Sequence, residues 1–209
     1  MGNTLKKIAE ELLDIEAVKL SPNDPFIWAS GIKSPIYCDN RLTISYPHVR
    51  KMIATGMAKL ILSNYPDAEV IAGTATAGIP HAAWVADELE LPMIYVRSKP
   101  KDHGKGKQTE GVLKAGQKVV LIDDLLSTGG SVLKAATALQ HEQANVIGVV
   151  GIFNYQLADL DKNFADNKLT YHTLTNYSEL LEAAQERNIF TQKDVDSMLE
   201  WKKSPKSWK

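Results

Sequence analysis

The sequence predicts an α/β protein in which a mostly parallel, twisted sheet is flanked by helices. Between residues 47 and 153, short apolar stretches alternate with segments of helical periodicity. Strands separated by helices form βαβ units, in which right-handed crossovers join parallel strands. In addition, three of the predicted strands run into loops rich in small, hydroxyl-bearing or charged residues. Open parallel sheets bind ligands at such loops, beyond the carboxyl ends of their strands.

The N-terminal part predicts one helix followed by an irregular region. Leu5, Ile8 and Leu12 recur at helical spacing, which predicts an amphipathic helix over residues 4–14. Residues 21–46 are rich in Ser, Pro, Asn and Gly and favour loops with short strands.

The central part carries the regular alternation. Its periodicity predicts helices over 47–63, 79–89 and 131–140, and strands over 69–72, 92–96, 118–122 and 145–153. The C-terminal part predicts a strand over 170–174 and then two helices, the first with Asn176 and Glu179 as a capping box. We expect Trp201, Trp208 and the four lysines after residue 200 to form a surface-exposed end.

Composition limits the classes of function. The 209 residues suit one domain, and 24 basic against 25 acidic side chains give a net charge of -1, which argues against a nucleic-acid scaffold or a polybasic membrane binder. The single cysteine, Cys38, excludes a disulfide framework and fits a reducing compartment. The longest apolar run, residues 146–153, is too short to span a bilayer. We expect a cytoplasmic protein.

The segment after strand 118–122 is the most specific in the chain. Asp123 and Asp124 follow the strand directly, and Ser127, Thr128 and Ser131 come next, among glycines, where a helix begins. Backbone N–H groups and hydroxyls at a helix N-terminus bind phosphate, while adjacent carboxylates accept hydrogen bonds from a sugar diol. The alternative is a capped strand-to-helix turn with no ligand.

Two further loops are expected at the same sheet edge. Residues 73–78, Gly-Thr-Ala-Thr-Ala-Gly, offer backbone to an anionic group, although a plain tight turn explains them about as well. Residues 97–107 carry Arg97, four lysines and His103 against a single carboxylate, which predicts a mobile cationic flap over a polyanion. A solvated surface loop is the alternative.

Common nucleotide and metal motifs are missing from the sequence. It contains neither G-x-x-x-x-G-K-[ST] nor G-x-G-x-x-G, so neither a P-loop nor a dinucleotide-binding turn is predicted. Its five histidines lack H-x-x-x-H spacing, so no transition-metal site is expected.

Three motifs resemble a known family. Residues 120–131, Val-Leu-Ile-Asp-Asp-Leu-Leu-Ser-Thr-Gly-Gly-Ser, resemble the phosphoribosyl-diphosphate motif of type I phosphoribosyltransferases. Arg97 with Lys-Asp-His-Gly at 101–104, and Ser-Gly-Ile-Lys-Ser-Pro-Ile-Tyr at 30–37, resemble the orotate phosphoribosyltransferases of that family. The likeness covers about residues 20–155, with the motifs in the same order.

The resemblance implies an activity and an organisation. It implies transfer of a phosphoribosyl group from phosphoribosyl diphosphate to orotate, giving orotidine 5′-monophosphate and pyrophosphate in pyrimidine biosynthesis, with Mg²⁺, in a homodimer with shared sites. It also implies one phosphoribosyltransferase domain over residues 1–209, with an N-terminal helix and hood over about 1–46, an α/β core over about 47–155, and a C-terminal strand and helices over 156–209.

The resemblance also assigns roles to residues. Arg97, Lys101 and His103 are the implied catalytic groups, reaching the pyrophosphate from the partner subunit, while Asp123 and Asp124 hold the ribose hydroxyls and residues 127–131 hold the 5′-phosphate. The full implied set for phosphoribosyl diphosphate is Thr74, Ala75, Arg97, Lys101, His103, Asp123, Asp124, Leu125, Leu126, Ser127, Thr128, Gly129, Gly130 and Ser131. Orotate is assigned to Lys33, Tyr37 and Ser127 under the hood. Mg²⁺ is expected to bind mainly through the ligand.

Two positions depart from the family pattern. Ala29 stands where some branches carry Lys, and Phe153-Asn154-Tyr155 stands where they carry Arg after a strand. Two alternatives remain open at this point. One is a purine phosphoribosyltransferase, which would share the phosphate motif but not the hood; the other is a regulator that binds phosphoribosyl diphosphate without turnover.

Overall fold

The computed structural model describes residues 2–28, 30–100 and 107–208, with the backbone alone for residues 2–5. Its helices are α1 (Gly2–Asp14), α2 (Pro47–Asn64), α3 (Gly78–Leu89), α4 (Gly130–His141), α5 (Ala158–Asp166), α6 (Tyr177–Glu186) and α7 (Gln192–Lys203), with a 3₁₀ helix over Asn40–Ser45. Its strands are β1 (Val18–Leu20), β2 (Phe26–Ile27), β3 (Lys33–Ser34), β4 (Ile36–Cys38), β5 (Val70–Thr74), β6 (Met93–Val96), β7 (Thr109–Glu110), β8 (Lys118–Leu126), β9 (Asn145–Asn154) and β10 (Tyr171–Asn176).

A six-stranded sheet forms the centre of the molecule, in the order β10-β9-β8-β5-β6-β7. Neighbouring strands are parallel except at the edge, where β7 pairs antiparallel with β6. The predicted α/β class with a mostly parallel sheet is therefore confirmed. In the described residues, no helix combines the length and apolar character needed to cross a membrane.

Helices cover both faces of this sheet. Side chains of α1, α2, α3, α6 and α7 pack on one face, and those of α4 and α5 pack on the other. All five residues of β5 are buried, as expected for a strand covered on two sides. The carboxyl ends of β5, β6 and β8 consequently lie side by side at one exposed edge.

The N-terminal region forms two small antiparallel sheets outside the main sheet. β1 pairs with β4, and β2 pairs with β3. These short strands agree with the irregular region predicted over residues 21–46. We call residues 26–38 the hood.

Strand β8 is longer than the sequence predicts. The predicted strand ends at Ile122, whereas β8 continues to Leu126 because β9 also extends and pairs Leu125 with Phe153 and Leu126 with Asn154. Asp123 and Asp124 therefore belong to the strand itself. Two short elements, β7 and α5, were not predicted, since β7 has two residues and α5 buries few apolar side chains, Leu160 and Phe164 among them.

The prediction of a surface-exposed C-terminal end is wrong for both tryptophans. Trp201 is fully buried and packs against Trp28, Tyr155 and Tyr177, while its Nε1 donates to the carbonyl of Lys33 at 2.9 Å. Trp208 is 8% exposed, and its Nε1 donates to the carbonyl of Ser197 at 2.8 Å. Burying a large indole is favourable when its N–H has a hydrogen-bond partner, and Lys203 and Lys206 remain exposed as predicted.

Helix caps agree in part with the prediction. The Asn176 side chain accepts a hydrogen bond from the Glu179 N–H and so caps α6. The structure gives a complete capping box at α7 instead, between Thr191 and Asp194.

Candidate active site

The three loops singled out in the sequence meet at the carboxyl edge of the sheet. They follow β5, β6 and β8, which are adjacent strands. A cavity of about 430 Å³ opens between them. Its wall is made by Thr74, Ala75, Val96, Arg97, Ser98, Gln108, Gly130, Ser131, Lys134 and Ala135. Residues from all three loops thus face one space large enough for a small ligand.

Asp123 and Asp124 lie at the end of β8, beneath this edge. Asp123 is 5% exposed and accepts hydrogen bonds from the Asp124 N–H at 3.0 Å and from Ser131 Oγ at 3.2 Å. Asn40, in the 3₁₀ helix, donates its Nδ2 to the carbonyl of Asp124 at 2.6 Å. The Asp123 carboxyl is thus tied to α4, and the Asp124 backbone is tied to the 3₁₀ helix.

Burial makes these carboxyl groups difficult to ionise. It raises the pKa of Asp123 to about 8, with the nearby charge of Asp124 adding to the effect. Burial also raises the pKa of Asp124, against the opposing influence of a hydrogen bond with Asp123 and the charge of Arg41. Strongly raised pKa values of neighbouring acids in a cleft are typical of functional sites.

The segment 127–131 leads into the N-terminus of α4. Gly129 adopts φ +78°, and a Cβ there would lie 2.7 Å from the ring of Phe164, so this position requires glycine. Gly129, the N-cap residue of α4, has no side chain, so among the described residues no capping side chain accepts from the N–H groups of the first turn. Asn163 Nδ2 fixes the loop by donating to the carbonyl of Thr128 at 2.9 Å. Free N–H groups and the helix dipole favour a phosphate here.

The loop after β5 is packed tightly against β8. A Cβ on Gly78 would lie 2.4 Å from the carbonyl oxygen of Ile122, so the first turn of α3 touches the strand backbone directly. The hydroxyl of Thr74 is buried and has no hydrogen-bond partner in the described part of the chain. Close packing therefore brings a free donor and the backbone of Ala75 to the cavity beside Asp123.

Arg97 stands at the start of the cationic loop, and the ends of that loop are clamped together. The Arg97 N–H donates to the carbonyl of Gln108 at 2.9 Å, and Gln108 Nε2 donates back to the carbonyl of Arg97 at 3.0 Å. Glu142 accepts from the N–H groups of Gln108 and Thr109. The predicted catalytic residues Lys101 and His103 lie outside the described residues.

A second cavity, of about 260 Å³, lies under the hood; we call it the hood cavity. Its lining is largely aromatic and apolar: Ile27, Trp28, Tyr37, Cys38, Leu125, Ser127 and Tyr155. Trp28 Nε1 donates to the carbonyl of Ile36 at 3.1 Å, which fixes the indole within the hood. Such a lining suits one face of a flat ring.

The other predicted residues fall in different places. Tyr37 and Ser127 line the hood cavity, whereas Lys33 is exposed and is not part of its lining. The side chain of Leu126 is buried in the core between the sheet and α4, so only its backbone can face a ligand.

Sequence reasoning missed several residues of the site. Lys134 lines the cavity near Arg97, and its position one turn after Ser131 on α4 is a signal that helical spacing offers. Gln108 and Asn40 gave no local signal, because each reaches the site through a contact with a residue far away in the chain.

The described residues contain no group of three His, Cys, Asp or Glu side chains suited to holding a metal ion. The oxygen donors at the site are the paired Asp123 and Asp124 carboxylates and the hydroxyls around the cavity. Mg²⁺ prefers oxygen ligands, keeps several waters and binds readily to phosphate oxygens. The donor set therefore fits Mg²⁺ carried in by a diphosphate, with these carboxylates in its outer surroundings.

Comparison with known proteins gives independent evidence on the family of this chain. A family model described as "Phosphoribosyl transferase domain" matches residues 45–179. The chain is 63% identical over 208 residues to an orotate phosphoribosyltransferase of Enterococcus faecalis, covering all of this chain and 99% of that protein. It is 56% identical to the Bacillus subtilis protein of the same name, covering 99% of this chain and 96% of that one.

Solved structures share the architecture. The Leishmania donovani UMP synthase matches with a TM-score of 0.78 and 28% identity, over 94% of this chain and 42% of that one. Orotate phosphoribosyltransferase from Aeropyrum pernix matches with a TM-score of 0.75 and 23% identity, over 88% of this chain and 99% of that one. The second match, at low identity, supports the fold.

Proposed function

The chain belongs to the phosphoribosyltransferase family and, within it, to the orotate phosphoribosyltransferases, and we propose that it transfers the phosphoribosyl group of phosphoribosyl diphosphate to orotate. The products are orotidine 5′-monophosphate and pyrophosphate, in pyrimidine biosynthesis. One observation carries this assignment at the level of the site. Ser127 both lines the aromatic hood cavity and begins the phosphate loop, so the sites for a flat base and for a sugar phosphate meet at this residue.

The sugar end of the substrate is assigned to Asp123, Asp124 and residues 127–131. The two carboxylates accept hydrogen bonds from the ribose diol, and the uncapped N-terminus of α4 holds the 5′-phosphate through backbone N–H groups and hydroxyls. These contacts fix the orientation of C1′ between the base and the diphosphate.

The diphosphate end is assigned to Thr74, Ala75 and Arg97, with Lys101 and His103 of the cationic loop. The bond at C1′ breaks as pyrophosphate leaves, charge resembling an oxocarbenium ion develops on the sugar, and a ring nitrogen of orotate attacks from the opposite face. The reaction needs no protein nucleophile. Cationic groups of the chain neutralise the leaving pyrophosphate. The resemblance assigns to His103 the donation of a proton or a hydrogen bond to this leaving group.

Cofactor, assembly and location belong to the same proposal. Mg²⁺, when bound with the substrate, supplies further positive charge to the diphosphate. We propose a homodimer in which one subunit lends the cationic loop to the site of its partner. The single free cysteine, buried Cys38, supports a reducing, cytoplasmic environment.

Base choice tests the proposal directly. The purified protein is mixed with phosphoribosyl diphosphate, Mg²⁺ and one base, and base consumption is followed by absorbance. We expect orotate to be consumed, and hypoxanthine, guanine, adenine and uracil to remain, because the hood segment and the cationic-loop motif together resemble those of orotate phosphoribosyltransferases. Comparable turnover of a purine base would contradict the assignment, and binding of phosphoribosyl diphosphate without turnover of any base would indicate a regulator.

A further inference from the structure

The substrate of the proposed function carries a charge that the hood cavity does not match. Orotate is a carboxylate as well as a flat ring. Among the described residues, the lining of the hood cavity is aromatic and aliphatic with one serine and one buried cysteine, and it includes no Lys or Arg. Tyr155, at its base, is 3% exposed, and burial raises the pKa of its hydroxyl, so it stays neutral. An anionic substituent in this cavity needs a cation from a neighbouring wall.

A larger cavity adjoins the hood cavity and supplies such a wall. It has a volume of about 650 Å³ and shares Trp28 and Ser127 with the hood cavity. Part of its lining comes from the C-terminal segment, which contributes three cationic side chains, Lys202, Lys203 and Lys206. The single acidic residue in the lining is Asp159. We call these three lysines the C-terminal lysine wall.

The fold holds this wall in place beside the hood. Trp201, which directly precedes Lys202, is fully buried, stacks edge-on against Trp28 and donates to the carbonyl of Lys33. Trp208 folds the end of the chain back by donating to Ser197. The backbone that carries the lysines is therefore anchored on both sides, which lowers the entropic cost of presenting them to a ligand.

The ammonium group of Lys202 is held by uncharged partners. Its Nζ donates to Gln156 Oε1 at 2.8 Å and to Ser178 Oγ at 3.0 Å, and both of these acceptors are neutral. An ammonium group oriented by neutral acceptors retains attraction for an anion, unlike one that is neutralised in a salt bridge.

We propose that the C-terminal lysine wall binds the carboxylate of the pyrimidine substrate and so selects orotate over uncharged pyrimidines. This inference rests on the proposed function and deepens it. It gives the C-terminal segment, which the sequence analysis left without a role, a part in base recognition.

The test compares two variants of equal charge. In the first, Lys202, Lys203 and Lys206 are each replaced by Gln. In the matched control, Lys59→Gln, Lys114→Gln and Lys193→Gln remove three exposed lysines that line neither cavity. Circular dichroism and thermal melting establish that both variants fold. Steady-state assays give KM for orotate and KM for phosphoribosyl diphosphate separately.

We expect the wall variant to raise KM for orotate at least about tenfold, the scale of a lost hydrogen bond to a charged group, with KM for phosphoribosyl diphosphate within about twofold of the wild type. The control should match the wild type in both constants. Restoring Lys202 alone as Arg should recover part of the affinity for orotate.

Two results would overturn the inference. One is an unchanged KM for orotate in the wall variant; the other is an equal rise in KM for phosphoribosyl diphosphate, which would assign the lysines to the 5′-phosphate. The wild type is assayed with orotate beside the variants. If the wild type does not consume orotate, the proposed function itself is refuted. If the wild type is active and the wall variant is unaffected, only the role of the C-terminal lysine wall is refuted.

Discussion

At the scale of single residues, Asp123 and Asp124 are the groups to which the proposed function assigns the sugar. The chain places two neighbouring carboxyl groups at the end of a buried strand, where water cannot solvate both charges. The Asp123 carboxyl accepts from one backbone N–H and from Ser131, so its roughly four acceptor sites are only partly used. In the proposed function a ribose diol occupies the remaining ones, which would offset the cost of burying two acids at this point.

Replacing either acid by its amide should weaken substrate binding. Asp123→Asn and Asp124→Asn each replace an oxygen that can accept a ribose hydroxyl hydrogen bond by an amide nitrogen that can only donate, and we expect affinity for phosphoribosyl diphosphate to fall by about tenfold or more in isothermal titration calorimetry. Asp67→Asn is the control, since Asp67 is exposed and pairs with Lys118 away from the site. Wild-type affinity in both site variants would remove the sugar-binding role.

The raised pKa of Asp123 also predicts how stability depends on pH. Its pKa in the folded protein, about 8, lies above its ordinary value of 3.8, so the folded state binds more protons between these limits. The stability contributed by the protonated group is therefore complete at low pH and is lost as pH rises through about 8. His81 acts in the opposite direction, because burial lowers its pKa to about 4, but this effect ends near its ordinary value of 6.5.

The informative window therefore runs from pH 6.5 to pH 8. In urea unfolding, we expect the free energy of unfolding of the wild type to fall across this window, by up to about 1.4 kcal/mol per pH unit. Asp123→Asn should show a flatter profile, because the amide does not titrate. Asp67→Asn should follow the wild type. Parallel profiles for the wild type and Asp123→Asn would contradict the burial argument.

At the scale of elements, the site depends on how closely α3 approaches β8. The loop 73–78 reaches the cavity only because Gly78 lets the helix touch the strand backbone. Backbone atoms cannot move aside as a side-chain tip can, so this contact controls the position of Thr74 and Ala75 as well as the stability of the packing.

Gly78→Ala tests this contact. The new Cβ would lie 2.4 Å from the Ile122 carbonyl oxygen, and we expect a loss of about 1–3 kcal/mol in the free energy of unfolding together with a higher KM for phosphoribosyl diphosphate. Gly130→Ala is the control for stability, since its Cβ would have 3.8 Å to its nearest neighbour, Thr128 Oγ1. An unchanged urea midpoint for Gly78→Ala would show that the approach is not tight.

The elements also show what the sequence could predict. The strands and helices between residues 47 and 153 follow from periodicity, because each buries a continuous apolar face. The end of β8 could not be predicted from periodicity. The polar residues at 123 and 124 indicate a turn, and the strand continues past them because it pairs with β9. The burial of Trp201 was likewise beyond local reasoning, because its partners Trp28, Tyr155 and Lys33 lie far away in the chain.

At the scale of the whole molecule, the proposed function has each subunit complete the site of its partner. The described residues anchor both ends of the cationic loop, through Arg97 and Gln108, beside the cavity of their own chain. The resemblance to orotate phosphoribosyltransferases nevertheless implies that Lys101 acts across a two-fold axis. A homodimer with shared sites makes a quantitative prediction, because two different lesions then combine differently in mixed dimers.

Lys101→Ala should lower turnover by about 10²–10³, the scale for removing one preorganised stabilising group, and Asp124→Asn should also be strongly impaired, on the other side of the ligand. If Lys101 acts in trans, a mixed dimer gathers both lesions in one site and leaves the other site intact. Random exchange makes about half of the dimers mixed, so mixing equal amounts of the two variants should restore roughly a quarter of wild-type activity.

If Lys101 acts within its own chain, every site keeps one lesion and mixing restores nothing. Native mass spectrometry of tagged subunits shows whether exchange has occurred, and exchange without recovery would exclude the shared site while leaving the phosphate loop and the paired carboxylates in their assigned roles.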